Sequence, residues 1–213
     1  MRMIRSLTMA AVTAAFMLGG PALAKDRKVE AAPAPESFVP PPLTPENTWN
    51  LDLSTGGRVT IQLRPDKAPL AVERIKVLTG RGFYDGLTFH RVIDGFMAQG
   101  GDPKGTGEGG SELPDLKAEF NSMPHVRGAV AMARASDEDS ANSQFYIMLA
   151  PNLSLDNKYT VVGRVVGGMA YVDAIEKGEP PANPSRVLRA TIGDGSAATP
   201  PVPAPAAEAA PQP

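Results

Sequence analysis

The segment that decides the fold of this chain covers residues 89–102 and reads FHRVIDGFMAQGGD. It places one cation, Arg91, a few residues ahead of an apolar pair, Phe96 and Met97, and an amide, Gln99. A charge, an apolar floor and an amide therefore lie close together, with no nucleophile among them. This combination suits a site that holds a substrate and changes its shape without cutting it.

The sequence on either side of this segment consists mainly of short predicted strands. Alternation of apolar and polar residues, which is typical of half-buried strands, occurs at 49–53 and 58–63. Further strands are predicted at 87–93, 96–99, 143–149, 159–166 and 187–192, and a small apolar run covers 128–133. Helical signals occur at 69–80, where Pro69 suits the first turn, and at 170–177. Many short strands with only two helices predict a β-barrel or a β-sandwich.

The period of two also predicts which side chains share a face of a strand. In the segment 143–149, Phe145, Ile147 and Leu149 form a core face. Gln144 and Tyr146 are therefore expected to point the other way.

Composition divides the chain into four regions. Residues 1–24 resemble a secretory signal peptide, with two early arginines, an apolar run at 7–18 and a small-x-small cleavage site before Lys25. Residues 25–46 are rich in Ala and Pro and predict a disordered linker. We expect a folded domain at 47–195 and a disordered Ala/Pro-rich tail at 196–213. The protein is thus expected to be exported to the periplasm, or secreted where there is no outer membrane, without a stable membrane anchor after signal cleavage.

Charge and composition exclude several classes of function. The 213 residues have a formal net charge of -2, which gives no electrostatic reason to expect a nucleic-acid partner. The chain has no cysteine and 2 histidines, which excludes thiol catalysis, disulfides and a histidine-rich metal site. Gly105, Gly107 and Gly110 match the spacing of a dinucleotide-binding loop, but Pro103 and Pro114 flank them, and we interpret the stretch as a flexible surface loop. We expect neither a metal nor a cofactor.

Several motifs in register identify a resemblance to one family. The segment 89–102 is followed by Gly-Thr-Gly at 105–107, Met-Ala at 132–133, SQFYI at 143–147 and LDNKYTVVG at 155–163. This series resembles the cyclophilins, which are peptidyl-prolyl cis-trans isomerases, and the resemblance covers about residues 49–192. It implies a closed eight-stranded antiparallel β-barrel capped by two α-helices, with the site on the outer surface of the barrel.

The resemblance also implies a role for each residue that matches the family motifs. Arg91 corresponds to the catalytic arginine, and Gln99 to a residue that anchors the substrate backbone. The implied substrate-binding residues are Phe96, Met97, Gln99, Ala133, Gln144, Tyr146, Leu155 and Tyr159. Among them, Ala133 and Gln144 would line the position of the residue before proline. Tyr146 replaces the phenylalanine that is usual in the family.

Two positions depart from the family pattern. Ser154 stands where an aromatic residue is common, a tryptophan in cyclosporin-sensitive members. Arg134 stands where an asparagine is common. These differences bear on cyclosporin binding and on the residue that flanks proline, and they leave Arg91 untouched. His90 is expected to be a structural hydrogen-bonding residue, and His125 has no assigned role.

The sequence therefore predicts a monomeric, cofactor-free prolyl isomerase that acts on proline-containing unfolded or partly folded polypeptides and assists their folding. Taken alone, a single arginine on a strand is usually a solvated charge, and Phe96 with Met97 would usually be core. Two other functions remain open: a proline-binding, chaperone-like module with incidental catalysis, and a scaffold component tethered by its tails.

Overall fold

The described part of the protein begins ahead of the predicted domain boundary at residue 47. A computed structural model describes residues 41–194. The predicted signal peptide, residues 25–40 of the predicted linker and the predicted tail lie outside the described residues. The last linker residues include a 3-10 turn, Pro45–Asn47, and the Thr48 hydroxyl donates to the Thr44 carbonyl at 2.8 Å. This turn leads directly into the first strand.

Eight strands form one antiparallel sheet. They are β1 (Thr48–Leu53), β2 (Gly57–Leu63), β3 (Arg91–Ile93), β4 (Met97–Gly100), β5 (Ala129–Met132), β6 (Phe145–Met148), β7 (Val161–Gly167) and β8 (Val187–Ile192). Their order in the sheet is β3-β4-β6-β5-β7-β2-β1-β8. Each strand lies within or close to a segment whose composition predicted it, although β3 is shorter than the predicted 87–93.

Two helices accompany the sheet. α1 (Pro69–Gly80) has the predicted bounds and buries Val72, Ile75 and Leu78, whereas Leu70 is 52% exposed. α2 (Met169–Asp173) is shorter than the predicted 170–177. Within residues 41–194, neither helix is both long and apolar enough to cross a membrane.

The two faces of the sheet carry two separate apolar clusters. The large core lies on one face and includes Trp49, Phe145 and Ile147. The smaller cluster lies on the other face and includes Tyr146 and Met148. The alternation predicted for β6 is therefore confirmed, because neighbouring residues of this strand belong to different clusters.

The continuous ladders form a curled half-barrel and do not show the closed barrel that the resemblance implied. β3 and β8 are its two end strands and share no ladder. The free edge of β3 is instead occupied by Gly178, which exchanges hydrogen bonds with Val92 at 2.8 and 2.9 Å. Ahead of the two end strands, the amide of Phe89 donates to the carbonyl of Ser185 at 2.9 Å. Isolated bridges thus satisfy the exposed edges without a continuous ladder.

Candidate active site

Strand register places the predicted cation, amide and aromatic ring in one row. Arg91 on β3 lies opposite Gln99 on β4, and Gln99 lies opposite Tyr146 on β6. Directly opposed residues of antiparallel strands have their Cβ atoms about 4.5–5.5 Å apart on the same face. Their side chains therefore project side by side from the face that carries the smaller cluster.

A hollow of about 140 Å³ lies over this row. Its lining residues are Arg91, Phe96, Met97, Gln99, Ala133, Arg134, Tyr146, Leu155 and Tyr159. Every predicted site residue except Gln144 is among them. Met97 and Tyr146 are buried, at 2% and 5% exposure, and form an apolar floor and wall. The hollow suits a small apolar ring with a cation at its edge.

The Arg91 side chain is partly open to solvent and is paired with Glu179. Its Nε–H donates to Glu179 Oε2 at 2.8 Å, and the two side chains are 42% and 49% exposed. A pair this exposed contributes only about 0–1 kcal/mol to stability. Within residues 41–194, Glu179 is the one hydrogen-bond partner of the Arg91 side chain, so the terminal N–H groups can serve a ligand. No sequence signal pointed to Glu179, which is 88 residues away.

Gln144 faces a second, larger groove beside the hollow. This groove has a volume of about 400 Å³, and it shares Gln99, Ala133 and Arg134 with the hollow. Gln99 Nε2 donates to Gln144 Oε1 at 2.8 Å, and Gln144 Nε2 donates to the carbonyl of Gly109 at 2.8 Å. The side-chain amides of Gln99 and Gln144 therefore link the hollow to the glycine-rich loop.

The glycine-rich loop is organised by a buried carboxylate, although the sequence predicted a flexible loop. Asp102 accepts the backbone N–H groups of Lys104, Thr106 and Gly107 at 2.7, 2.9 and 2.6 Å. Burial alone would raise the pKa of Asp102, but these N–H donors outweigh it and hold the pKa below its ordinary value. No helix follows the loop before β5, so the glycines lack the strand–loop–helix context that a dinucleotide site requires.

Behind the hollow lies His125, for which no role was predicted from the sequence. The His125 ring is fully buried, with Nε2 3.0 Å from the Tyr146 hydroxyl and Nδ1 2.8 Å from Asp156 Oδ1. The tyrosine at position 146 was the available signal, because a buried hydroxyl requires a hydrogen-bond partner. The sequence could not say which residue supplies it.

Comparison with known proteins decides the family. The family model described as cyclophilin type peptidyl-prolyl cis-trans isomerase/CLD matches residues 50–192. The chain belongs to the cyclophilins. A probable peptidyl-prolyl cis-trans isomerase of Brucella suis is 49% identical over 164 residues, which cover 70% of this chain and 83% of that protein. Peptidyl-prolyl cis-trans isomerase B of Bacillus subtilis is 41% identical over 129 residues, 60% of this chain and 89% of the relative.

Solved cyclophilin structures share the fold. A cyclophilin from Hirschia baltica has a TM-score of 0.65 and 28% identity, covering 70% of this chain and 75% of its own. A Cryptosporidium parvum cyclophilin type isomerase, crystallised in the presence of the dipeptide Ala-Pro, has a TM-score of 0.64 and 26% identity. The match covers 68% of this chain and 98% of that one.

In this cyclophilin His90 differs from what the sequence led us to expect, and Arg134 makes a contact that the sequence did not predict. His90 was predicted to be a structural hydrogen-bonding residue, but its buried ring nitrogens have no hydrogen-bond partner among residues 41–194. Burial lowers its pKa. Arg134 lies over the Tyr159 ring, with its Cζ atom 4.8 Å from the ring centroid. It therefore forms the rim between the hollow and the groove.

Proposed function

We propose that the hollow binds the proline ring of a polypeptide and that Arg91 stabilises the twisted transition state of the preceding peptide bond. Membership of the cyclophilin family makes prolyl isomerisation the activity of this chain. The observation that supports the residue assignment is the sheet register, which brings Arg91 to the edge of an apolar hollow.

Prolyl isomerisation requires little more than a hydrogen-bond donor and a pocket that holds the proline ring. An X-Pro bond rotates over a barrier of about 18–20 kcal/mol because amide resonance is lost on twisting. In the twisted state the proline nitrogen regains a lone pair and accepts hydrogen bonds better than in either planar form. A donor aimed there binds the transition state more strongly than the substrate, which is what accelerates the reaction.

Arginine suits this task because it remains charged and offers several N–H groups. Glu179 engages Nε–H and leaves the terminal groups for the substrate. Phe96, Met97 and Tyr146 hold the pyrrolidine ring while the acyl side rotates, and Gln99 anchors the substrate backbone. When a bound peptide covers the site, one such donor stabilises the transition state by about 2.7–4 kcal/mol, by analogy with oxyanion-hole donors.

Arg91→Ala tests the proposal directly. We expect kcat/KM for cis-to-trans isomerisation of an X-Pro peptide to fall about 10²–10³-fold, measured by magnetisation exchange or a coupled assay. Arg127→Ala is a matched control, since Arg127 also forms an exposed ion pair, with Asp173, but lies outside the hollow. A loss below about threefold in the Arg91 variant would refute its role.

The alternative is a proline-binding, chaperone-like module with incidental catalysis. The larger groove beside the hollow favours it, because it offers room for a peptide beyond the proline. This alternative predicts that Arg91→Ala abolishes turnover while suppression of aggregation persists. If that suppression falls with turnover, the alternative is wrong.

We further propose that the isomerase domain acts on exported polypeptides after residues 1–24 have directed the chain across the inner membrane. The family match, 50–192, lies within the predicted domain of 47–195. Mass spectrometry of the protein from a periplasmic or secreted fraction should find an N-terminus at Lys25. Full-length protein confined to the cytoplasm would contradict export.

A further inference from the structure

We propose that His125, held by Asp156, is a positioning residue that fixes the Tyr146 ring as a wall of the proline pocket. The inference rests on the proposed function, because it concerns how the hollow receives a proline ring. Neither family resemblance nor sequence pattern assigned His125 a role.

The hydrogen-bond chain has a defined direction. Asp156 Oδ1 accepts both the backbone N–H of His125 and the proton on Nδ1, each at 2.8 Å. Burial alone would raise the pKa of Asp156, but the two His125 donors outweigh it and keep the carboxyl ionised. An ionised carboxylate only accepts, so Nδ1 carries a proton. In that tautomer of the imidazole Nε2 is the acceptor, and the Tyr146 hydroxyl donates to it at 3.0 Å.

Burial makes this contact necessary. His125 is fully buried, and the hydrogen bond to Tyr146 is buried as well. Desolvation raises the pKa of Tyr146, so its hydroxyl keeps the proton that it donates. A buried hydroxyl that loses its acceptor costs free energy. The phenol ring is therefore restricted to the orientation in which its hydroxyl reaches Nε2.

The backbone fixes only the base of the Tyr146 side chain. β6 pairs with β4 on one side and β5 on the other, which immobilises the backbone of Tyr146. The outer end of the ring is held by His125, whose plane lies 21° from that of the phenol. Tyr159 packs edge-on against the same ring, with 5.9 Å between centroids. Because Tyr146 lines the hollow, its orientation sets the width of the pocket.

The position of the Tyr146 ring affects mainly the binding of the substrate. The ring contacts proline in the ground state and the transition state alike, so its displacement raises KM and leaves kcat nearly unchanged. This signature differs from that of Arg91, whose loss lowers kcat. If the role of His125 were purely structural, its substitution would change the stability of the protein without changing the ratio of kcat to KM.

Two substitutions of His125 separate its two hydrogen bonds. The amide of His125→Gln can reach the position of Nε2 and keep an acceptor for Tyr146, whereas the shorter His125→Asn reaches only the position of Nδ1. We expect His125→Asn to raise KM and the Kd for an Ala-Pro peptide by about threefold to tenfold, the worth of one hydrogen bond. His125→Gln should stay within about twofold of wild type. Equal effects of the two variants would overturn the proposal.

A double-mutant cycle tests whether the effect passes through the Tyr146 hydroxyl. Combined with Tyr146→Phe, His125→Asn should cost little more than Tyr146→Phe alone, because the shared contact is already lost. Additive effects would overturn the proposal. The cycle remains informative if the variants are destabilised, provided that unfolding midpoints show them folded at the assay temperature.

The ring protonation can be observed without any activity. Long-range ¹H–¹⁵N correlation spectra of the two histidines should show His125 protonated at Nδ1, with His90→Gln used for assignment. An Nε2-protonated neutral ring would overturn the hydrogen-bond chain. A wild-type protein that neither turns over nor binds the peptide would refute the proposed function instead, whereas normal wild-type binding with unchanged variants refutes only the role of His125.

Discussion

At the residue scale, the proposed function depends on one charged side chain. In that proposal Arg91 supplies the donor, and a guanidinium remains protonated at every pH of the assay. Burial lowers the pKa of His90, which favours its neutral form.

We therefore expect kcat/KM to be nearly flat from about pH 6 to 9. The measurement is isomerisation of one X-Pro peptide across that range, in buffers of constant ionic strength. A bell-shaped or stepped dependence of kcat/KM on pH, centred near pH 6.5, would contradict the assignment and point to a histidine as the catalytic group.

At the element scale, α1 shows which parts of a helix can be read from its own sequence. Pro69 and the apolar spacing that follows it predicted the bounds of α1. The cap could not be predicted, because Ala68 at the N-cap has no side chain that accepts a hydrogen bond. The backbone N–H groups of Leu70 and Ala71 donate instead to the Glu119 carboxylate at 3.0 and 2.9 Å. A carboxylate at the N-terminus of a helix also interacts favourably with the helix dipole.

Glu119→Ala should lower the free energy of unfolding by about 1 kcal/mol, or about 2–4 °C in Tm. Two helix donors lose their acceptor while the core remains unchanged. Glu112→Ala is the matched control, since Glu112 is exposed and has no hydrogen-bond partner among residues 41–194. Chemical denaturation of both variants at pH 7 checks this, and an equal loss in the two would contradict the remote cap.

At the scale of the whole molecule, a single carboxylate ties the glycine-rich loop to the end of β4. Asp102 is 1% exposed and its pKa lies below the ordinary value, so the folded protein binds fewer protons there than the unfolded chain. Its contribution to stability is therefore fully present above the unfolded pKa of about 3.9. It is lost as the pH falls through the folded pKa.

Asp102→Asn should destabilise the protein by about 1–3 kcal/mol at pH 7, because the amide retains one acceptor and turns N–H groups toward backbone donors. The difference from wild type should shrink as the pH is lowered below about 4. Urea unfolding at pH 7 and pH 3 measures both values. Asp94→Asn, an exposed turn residue, should show no such difference, and a pH-independent loss for Asp102→Asn would contradict this account.

The sequence by itself determined the strands, α1, the alternation of β6 between two faces, and the motifs that carry the cyclophilin family. Those motifs also named Arg91 and the apolar residues beside it, while the local period fixed which side chains share a face. Only the tertiary structure decided that the sheet stays a half-barrel, that Gly178 covers β3, and that Glu179 holds Arg91. It likewise decided that His125 lies behind Tyr146. The physical reason is that these contacts join segments far apart in the chain, and a local pattern specifies a face but not the neighbour that packs against it.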